Sequence, residues 1–204
     1  MRVNPGIAPA TFLGLLLVAL SPSVASADWL FVPFFGTTFA GSTSVPDLEQ
    51  GAGSAQLLFG GSAGWWSQGI IGVEGDFGYA PRFFETDNIV FSDSNAITLG
   101  GNVVLAMPLS VTRESLRPYL VGGLGWMHLS INEGFNVFPE LFGARNSIAL
   151  NLGGGAVGFI NPRTGFRFEL RQFRSLERGD NPVSGERQSL LTFWRATVGV
   201  VIRR

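Results

Sequence analysis

Two sets of residues in this sequence carry side chains of the kind that chemistry needs. The first is Gly165-Phe166-Arg167-Phe168-Glu169-Leu170-Arg171, where a charge stands at every second position. Alternation at period two belongs to an extended strand, so Arg167, Glu169 and Arg171 share one face and Phe166, Phe168 and Leu170 the other. Arginines flanking a carboxylate form either a polar site or a structural ion-pair cluster. The second set is Trp126-Met127-His128-Leu129-Ser130, which holds the chain's only His and is followed by Glu133 and Glu140. His, Ser and a carboxylate are the side chains of nucleophilic catalysis. Which reading holds depends on the elements that carry them.

The first residues are set aside before the fold is read. Arg2 precedes an apolar run from Phe12 to Leu20, and Ala25-Ser26-Ala27 follows. A charged start, a short apolar core and an A-x-A site read as a secretory signal peptide over residues 1–27, with Ala25 and Ala27 marking the cleavage site. The run is shorter than the ~20 apolar residues a spanning helix needs. The mature chain, residues 28–204, is the length of a single domain. It has no Cys, hence no disulfide framework. The net charge is −1, every basic residue is Arg, and no basic block exists, so nucleic acid is excluded as a partner. No cofactor is implied. Charged residues are only 14% of the chain against a usual ~25%. An exported chain this apolar, without a spanning helix, is a soluble β protein or a membrane β-barrel.

Gly is dispersed through nearly every segment, which opposes long helices, and period-two alternation recurs. Strands are expected over roughly 29–39, 54–64, 70–80, 95–107, 117–128, 147–159, 165–176 and 191–203. Each spans about 10–13 residues, close to the 9–11 of a tilted membrane strand and longer than the 5–6 usual in soluble proteins. Long polar connections (40–53, 81–94, 129–146, 177–190) alternate with short ones (Trp65–Gly69, Pro108–Leu116, Ile160–Thr164). That alternation is the pattern of long outer loops and short periplasmic turns. The expected fold is all-β: an eight-stranded antiparallel up-and-down transmembrane β-barrel. Pro33 cannot donate to a ladder, and a bulge is expected there.

Strand parity assigns the faces. Glu74, Asp76, Arg167, Glu169, Arg171 and Arg195 fall on the lumen side, three charges of each sign. Unpaired charge inside a narrow barrel is costly, so these six are expected to form ion pairs, Glu169 with its strand neighbour Arg195 among them. Trp29, Trp65 and Trp66 are expected at the periplasmic interface, Trp126 and Trp194 at the outer one, and Tyr79 and Tyr119 at strand ends, as aromatic girdles require. Phe84, Phe91, Phe135, Phe138 and Phe142 fall in the long connections, where they pack on each other or offer a surface to a ligand.

Three segments carry a family likeness: Trp29-Leu30-Phe31-Val32-Pro33-Phe34-Phe35-Gly36, Arg117-Pro118-Tyr119-Leu120-Val121-Gly122-Gly123-Leu124-Gly125 and Phe193-Trp194-Arg195-Ala196-Thr197-Val198-Gly199-Val200. With the signal peptide they resemble the small outer-membrane β-barrels of the opacity-protein and OmpA/OmpX-like type. The resemblance implies a location in the cell outer membrane, contact with its lipid and lipopolysaccharide, and insertion by the outer-membrane assembly machinery. That machinery commonly reads a C-terminal aromatic residue, where this chain has Arg204. The implied roles range from structural barrel and adhesin to small pore and enzyme, so the fold leaves the role open.

His128 and Ser130 share the outward face near the outer end of their strand. His-x-Ser with a downstream Glu is similar to the active site of lipid A 3-O-deacylase, another outer-membrane barrel. That likeness implies Ser130 as nucleophile, His128 as base and Glu140 as orienting carboxylate. The Asn-rich sequence flanking the family's pair is absent, and an interfacial His beside a loop Ser is the plainer reading. A structural or surface-interacting barrel with a salt-bridged, filled lumen is therefore expected, with a small-solute or hydrophobic-compound pore as the alternative. No catalysis is expected.

Overall fold

The computed structural model describes residues 27–43, 55–81, 93–112, 116–132, 145–176, 178–180, 187–189 and 191–204. In chain order these form β1 (Ala27–Thr43), β2 (Gln56–Ser67), β3 (Ile71–Pro81), β4 (Asp93–Ala106), α1 (Leu109–Thr112), β5 (Leu116–Asn132), β6 (Arg145–Asn161), β7 (Thr164–Ser175), β8 (Arg178–Asp180), β9 (Arg187–Ser189) and β10 (Leu191–Arg203). The long strands close in the order β1-β10-β7-β6-β5-β4-β3-β2, and every ladder is antiparallel. The fold is thus an eight-stranded up-and-down barrel. Closure through the β1–β10 ladder leaves it no free edge.

The alternation that marks these strands in the sequence becomes their two faces. Along β7, Phe166, Phe168 and Leu170 lie exposed on the outside, and Arg167, Glu169 and Arg171 lie buried inside. β3 repeats this with Val73 and Phe77 outside and Glu74 and Asp76 inside. An outer surface of Phe, Leu, Val and Ile is unfavourable in water and suits hydrocarbon.

Three features differ from expectation. β1, β5 and β6 each run to 17 residues, because pairing continues into the polar connections where apolar alternation has ended. The connection 177–190 contains a two-stranded ladder of its own, β8–β9. The bulge in β1 is not at Pro33. The register against β10 is unchanged from Phe31↔Ile202 to Phe34↔Gly199, and the ladder merely lapses at Val32 and Pro33. The shift comes between Phe39 and Ser42, at Ala40, which has a φ of 49°. A missing N–H costs one ladder bond without adding a residue, whereas a left-handed residue turns the chain and displaces the register. The five loop Phe residues lie outside the described residues.

Glycine on the inner face makes room for large side chains. A Cβ at Gly155 would sit 2.6 Å from the Tyr119 hydroxyl, and one at Gly78 would sit 3.0 Å from Arg195 Nη1. Both glycines are spacers that admit the bulky polar groups of the lumen.

Candidate functional site

The lumen is layered. At the long-loop end it holds an apolar cluster that includes Phe34, Leu58, Met127, Phe173, Leu191 and Phe193. Phe173 and Phe193 stack at 5.2 Å between centroids. At the short-turn end a second cluster includes Leu30, Val32, Trp66, Val104, Tyr119 and Val121. Between them lies a belt of ionised side chains. Glu74 and Asp76 come from β3, Arg167, Glu169 and Arg171 from β7, and Arg195 from β10. β3 and β7 stand on opposite sides of the closed ring, so the belt ties the barrel across its diameter.

Arg167 is the most fully engaged cation. Its two terminal nitrogens reach Glu74, one of them also bonding Glu169 and the other Ser62 Oγ at 3.2 Å. Its Nε donates to Tyr119 Oη at 2.6 Å, and the Tyr119 hydroxyl donates to Glu169 Oε2 at 2.9 Å. Arg171 Nη2 donates to Glu169 Oε2 at 2.7 Å and to Glu74 Oε1 at 3.3 Å. Its Nη1 stands 3.8 Å from Asp76 Oδ1. With the Asn102 amide oriented to match its surroundings, Asn102 Oδ1 accepts from Arg171 Nη1 at 3.0 Å and its nitrogen donates to Asn151 Oδ1 at 3.1 Å.

Arg195 makes the expected contact with Glu169, but a second partner across the lumen holds it more closely. Its fork closes on Asp76, with Nη1 to Oδ1 at 3.1 Å and Nη2 to Oδ2 at 2.8 Å, and meets Glu169 only at 3.4 Å. The register explains this. Arg195 pairs with Arg171 across the β10–β7 ladder, while Thr197 faces Glu169. Two like charges side by side turn Arg195 across the lumen toward β3, where the bidentate geometry is available.

All six belt residues are buried. Their formal charges cancel, and aromatic faces close the belt on both sides. Arg195 lies 5.1 Å from the Phe34 ring and 4.7 Å from Phe173. Arg167 lies 4.8 Å from Tyr119 and 5.5 Å from Trp66. Such cation–π contacts are worth about 2 kcal/mol each when desolvated. Arg171 Nε, Arg195 Nε and Trp66 Nε1 are buried without a hydrogen-bond partner.

Two aromatic expectations are corrected. Trp66 does not join an interface girdle: it points inward, is 1% exposed and packs edge-on against Tyr119 at 5.0 Å. Adjacent strand residues face opposite ways, so with Trp65 outside, Trp66 must be inside. Tyr119 stands near the start of β5 as expected, but it too faces the lumen and bonds the belt. Trp29 and Trp65 face outward opposite each other at the short-turn end, and Trp126 faces outward toward the long-loop end. Trp194 is half-buried on the outer face of β10, opposite Phe39.

Below Trp66, Arg117 fastens the short-turn end. It donates to Met107 O at 2.7 Å, Ser67 O at 2.7 Å and Gly69 O at 2.6 Å, and its guanidinium lies 5.6 Å from the Trp66 ring. One side chain therefore satisfies carbonyls of two different turns. Arg117→Met keeps the packing stem and removes these bonds. It is expected to cost about 1–3 kcal/mol of stability in urea unfolding, because three charge-assisted bonds to partly buried carbonyls are lost.

The His128 ring stacks on Trp126 at 5.4 Å, and its Nδ1 lies 2.7 Å from Asn146 Oδ1. The ring is thus held toward Trp126, two residues back, and across to β6. No hydrogen bond joins His128 to Ser130 among the described residues, and Glu140 lies outside them. Parity brings His128 and Ser130 to one face, but the contacts of the ring are to other partners.

Sequence reasoning did not single out Ser62, Asn102, Asn151 and Arg117 as lumen residues, and it named Tyr119 only as a strand-end aromatic. Each is a polar side chain at inward parity within an otherwise apolar strand, and that is the signal by which they could have been found.

A model described as outer membrane protein beta-barrel domain matches residues 10–201. No curated protein sequence matches the chain. Among solved structures, the N-terminal barrel domain of Pseudomonas aeruginosa OprF is similar at a TM-score of 0.56 and 16% identity, covering 88% of this chain and 98% of that one. Neisserial surface protein A is similar at 0.56 and 12%, covering 87% and 98%. OprG of Pseudomonas aeruginosa is similar at 0.53 and 11%, covering 88% and 97%. At these identities the shared feature is the fold.

Proposed function

The chain belongs to the family with an outer membrane protein beta-barrel domain, and on that footing we propose that it is a structural, surface-interacting barrel whose lumen is closed by its salt-bridged belt. The observation that carries this reading is the belt itself. Three arginines and three carboxylates are mutually paired across the barrel and walled by aromatic rings on either side. The gap beside them, lined by Val32, Phe34, Ser62, Asp76, Arg167, Glu169, Thr197 and Gly199, leaves no room for a water molecule. A charge cluster of this kind holds strands together, and it leaves a hydrated ion no continuous path. Ligand contact then falls to the long connections, outside the membrane.

The chain is made as a precursor. Residues 1–27 act as its signal peptide, and cleavage after Ala27 removes one residue of β1, so that the mature strand begins at Asp28. The assembly machinery inserts the barrel among lipid and lipopolysaccharide. His128, engaged by Asn146 and Trp126, serves as an interfacial residue and not as the base of a deacylase-like esterase.

One observation favours a second reading, a conduit for apolar compounds. An apolar groove of about 440 Å3, lined by Pro33, Phe34, Phe35, Phe166, Val198, Gly199 and Val200, lies on the β1–β10 seam where the ladder lapses. Phe34 and Gly199 line both this groove and the inner gap.

Proteoliposome swelling tests the two readings together. A closed barrel leaves the entry of small sugars and of a fluorescent fatty acid at the rate of protein-free vesicles. Sugar entry contradicts the closed lumen. Fatty-acid entry alone, altered by Pro33→Ala, selects the seam conduit.

A further inference from the structure

The short-turn rim of the β1–β10 seam gathers exposed arginines beside an aromatic girdle. Trp29 and Arg204 exchange two backbone hydrogen bonds of 2.9 Å, so they are cross-strand neighbours. Strand parity puts both on the outer face with Phe31 and Ile202, which are exposed there. Trp29 stacks on Phe31 at 6.3 Å between centroids. Arg163 lies in the turn between β6 and β7, and its carbonyl accepts from Arg203 N at 2.8 Å, which ties it to the end of β10. Its side chain and that of Arg204 are exposed. Arg203 is engaged elsewhere: it donates to Pro162 O at 2.6 Å and lies 4.4 Å from the Phe159 ring. Among the described residues Asp28 is the only carboxylate at this rim, and the arginine of these three within ion-pair reach of it is Arg203, at 3.6 Å. The rim therefore keeps an excess of positive charge on Arg163 and Arg204.

Further along the same outer face lies the apolar groove of about 440 Å3 between Pro33, Phe35, Phe166, Val198 and Val200. Val200 and Arg204 are separated by about 13 Å along the strand, and one leaflet of hydrocarbon is about 15 Å deep. A hydrocarbon tail that starts at the level of Arg204 reaches the groove within a single leaflet, passing Phe31 and Ile202 on the way. A guanidinium holds a phosphate with its fork, and an outward Trp marks the headgroup level. The cationic rim and the apolar groove thus match the two halves of one lipid molecule.

We propose that the β1–β10 seam is a binding site for a glycerophospholipid with a net negative headgroup, drawn from the leaflet at the short-turn end. Arg204 and Arg163 take the headgroup phosphate, and the groove takes an acyl chain. A zwitterionic headgroup fits less well, because its ammonium group is repelled by the same arginines. The site depends on the barrel's seat in the membrane and not on whether the lumen is closed.

Native mass spectrometry tests this on the folded barrel, released from micelles that hold phosphatidylglycerol and phosphatidylcholine in equal amounts. Retention of phosphatidylglycerol in preference to phosphatidylcholine is expected. R163Q/R204Q should cut that preference about fivefold or more. V198W fills the groove and should reduce retention of both lipids. Variants are compared as heat-modifiable, folded barrel, with V198F in place of V198W where the larger ring prevents folding. Absence of retained lipid overturns the proposal. So does a preference indifferent to R163Q/R204Q, or retention indifferent to the filled groove. Excess inorganic phosphate should leave the lipid in place, and displacement by it would reveal a bare anion site and overturn the lipid assignment. A two-barrel species in place of the lipid adduct would give the groove to a second copy of the chain, with the same consequence.

Discussion

Replacing Glu169 with Gln is expected to destabilise the folded barrel by about 3–5 kcal/mol, because it strands buried positive charge. Glu169 is the hub of the belt. Its carboxylate meets Arg167, Arg171 and Arg195, and it accepts from the Tyr119 hydroxyl. Gln has nearly the same shape, so packing is preserved and the belt is left with three guanidiniums against two carboxylates. Urea unfolding from lipid vesicles, followed by heat-modifiable gel migration, measures the loss. The rim pair supplies the contrast. Asp28 and Arg203 lie 3.6 Å apart and partly exposed at the short-turn end, so Asp28→Asn is expected to cost only about 0–1 kcal/mol.

The second large effect concerns the Asp76–Arg195 fork. Asp76→Leu alone and Arg195→Met alone each leave a buried charge without its partner and are expected to cost about 3–5 kcal/mol. The double variant removes one charge of each sign, keeps the belt neutral and leaves an apolar pair between the Phe34 and Phe173 rings. It should be markedly less destabilised than the sum of the singles, with a coupling of about 2–3 kcal/mol in a double-mutant cycle. Additive losses would show that Asp76 and Arg195 do not act as a pair.

Much of this architecture is legible in the sequence because each strand meets two solvents. In Phe166-Arg167-Phe168-Glu169-Leu170-Arg171 a one-residue change of phase would put every charge in hydrocarbon, so parity alone assigns the faces. The eight long strands and the alternation of connection lengths follow from the same pattern. What parity cannot give is the partner across the lumen. Arg195 holds Asp76 more closely than Glu169 because the β7–β10 ladder sets Arg171 beside it, and that register depends on how the two strands pair across the long connection between them. Parity places Trp66 inside as well, against the general preference of Trp for membrane interfaces. The turn at Ala40 leaves no mark, since alanine gives no hint of a positive φ, whereas Pro33 carries a visible one and does not shift the register. The three-residue strands β8 and β9 are too short for any periodicity to show.

The central claim is that the balanced belt closes the lumen. Planar-bilayer recording of the folded protein tests it most directly. The account predicts no steady conductance above the bare bilayer. A stable, large, voltage-independent conductance from the unmodified protein would contradict it.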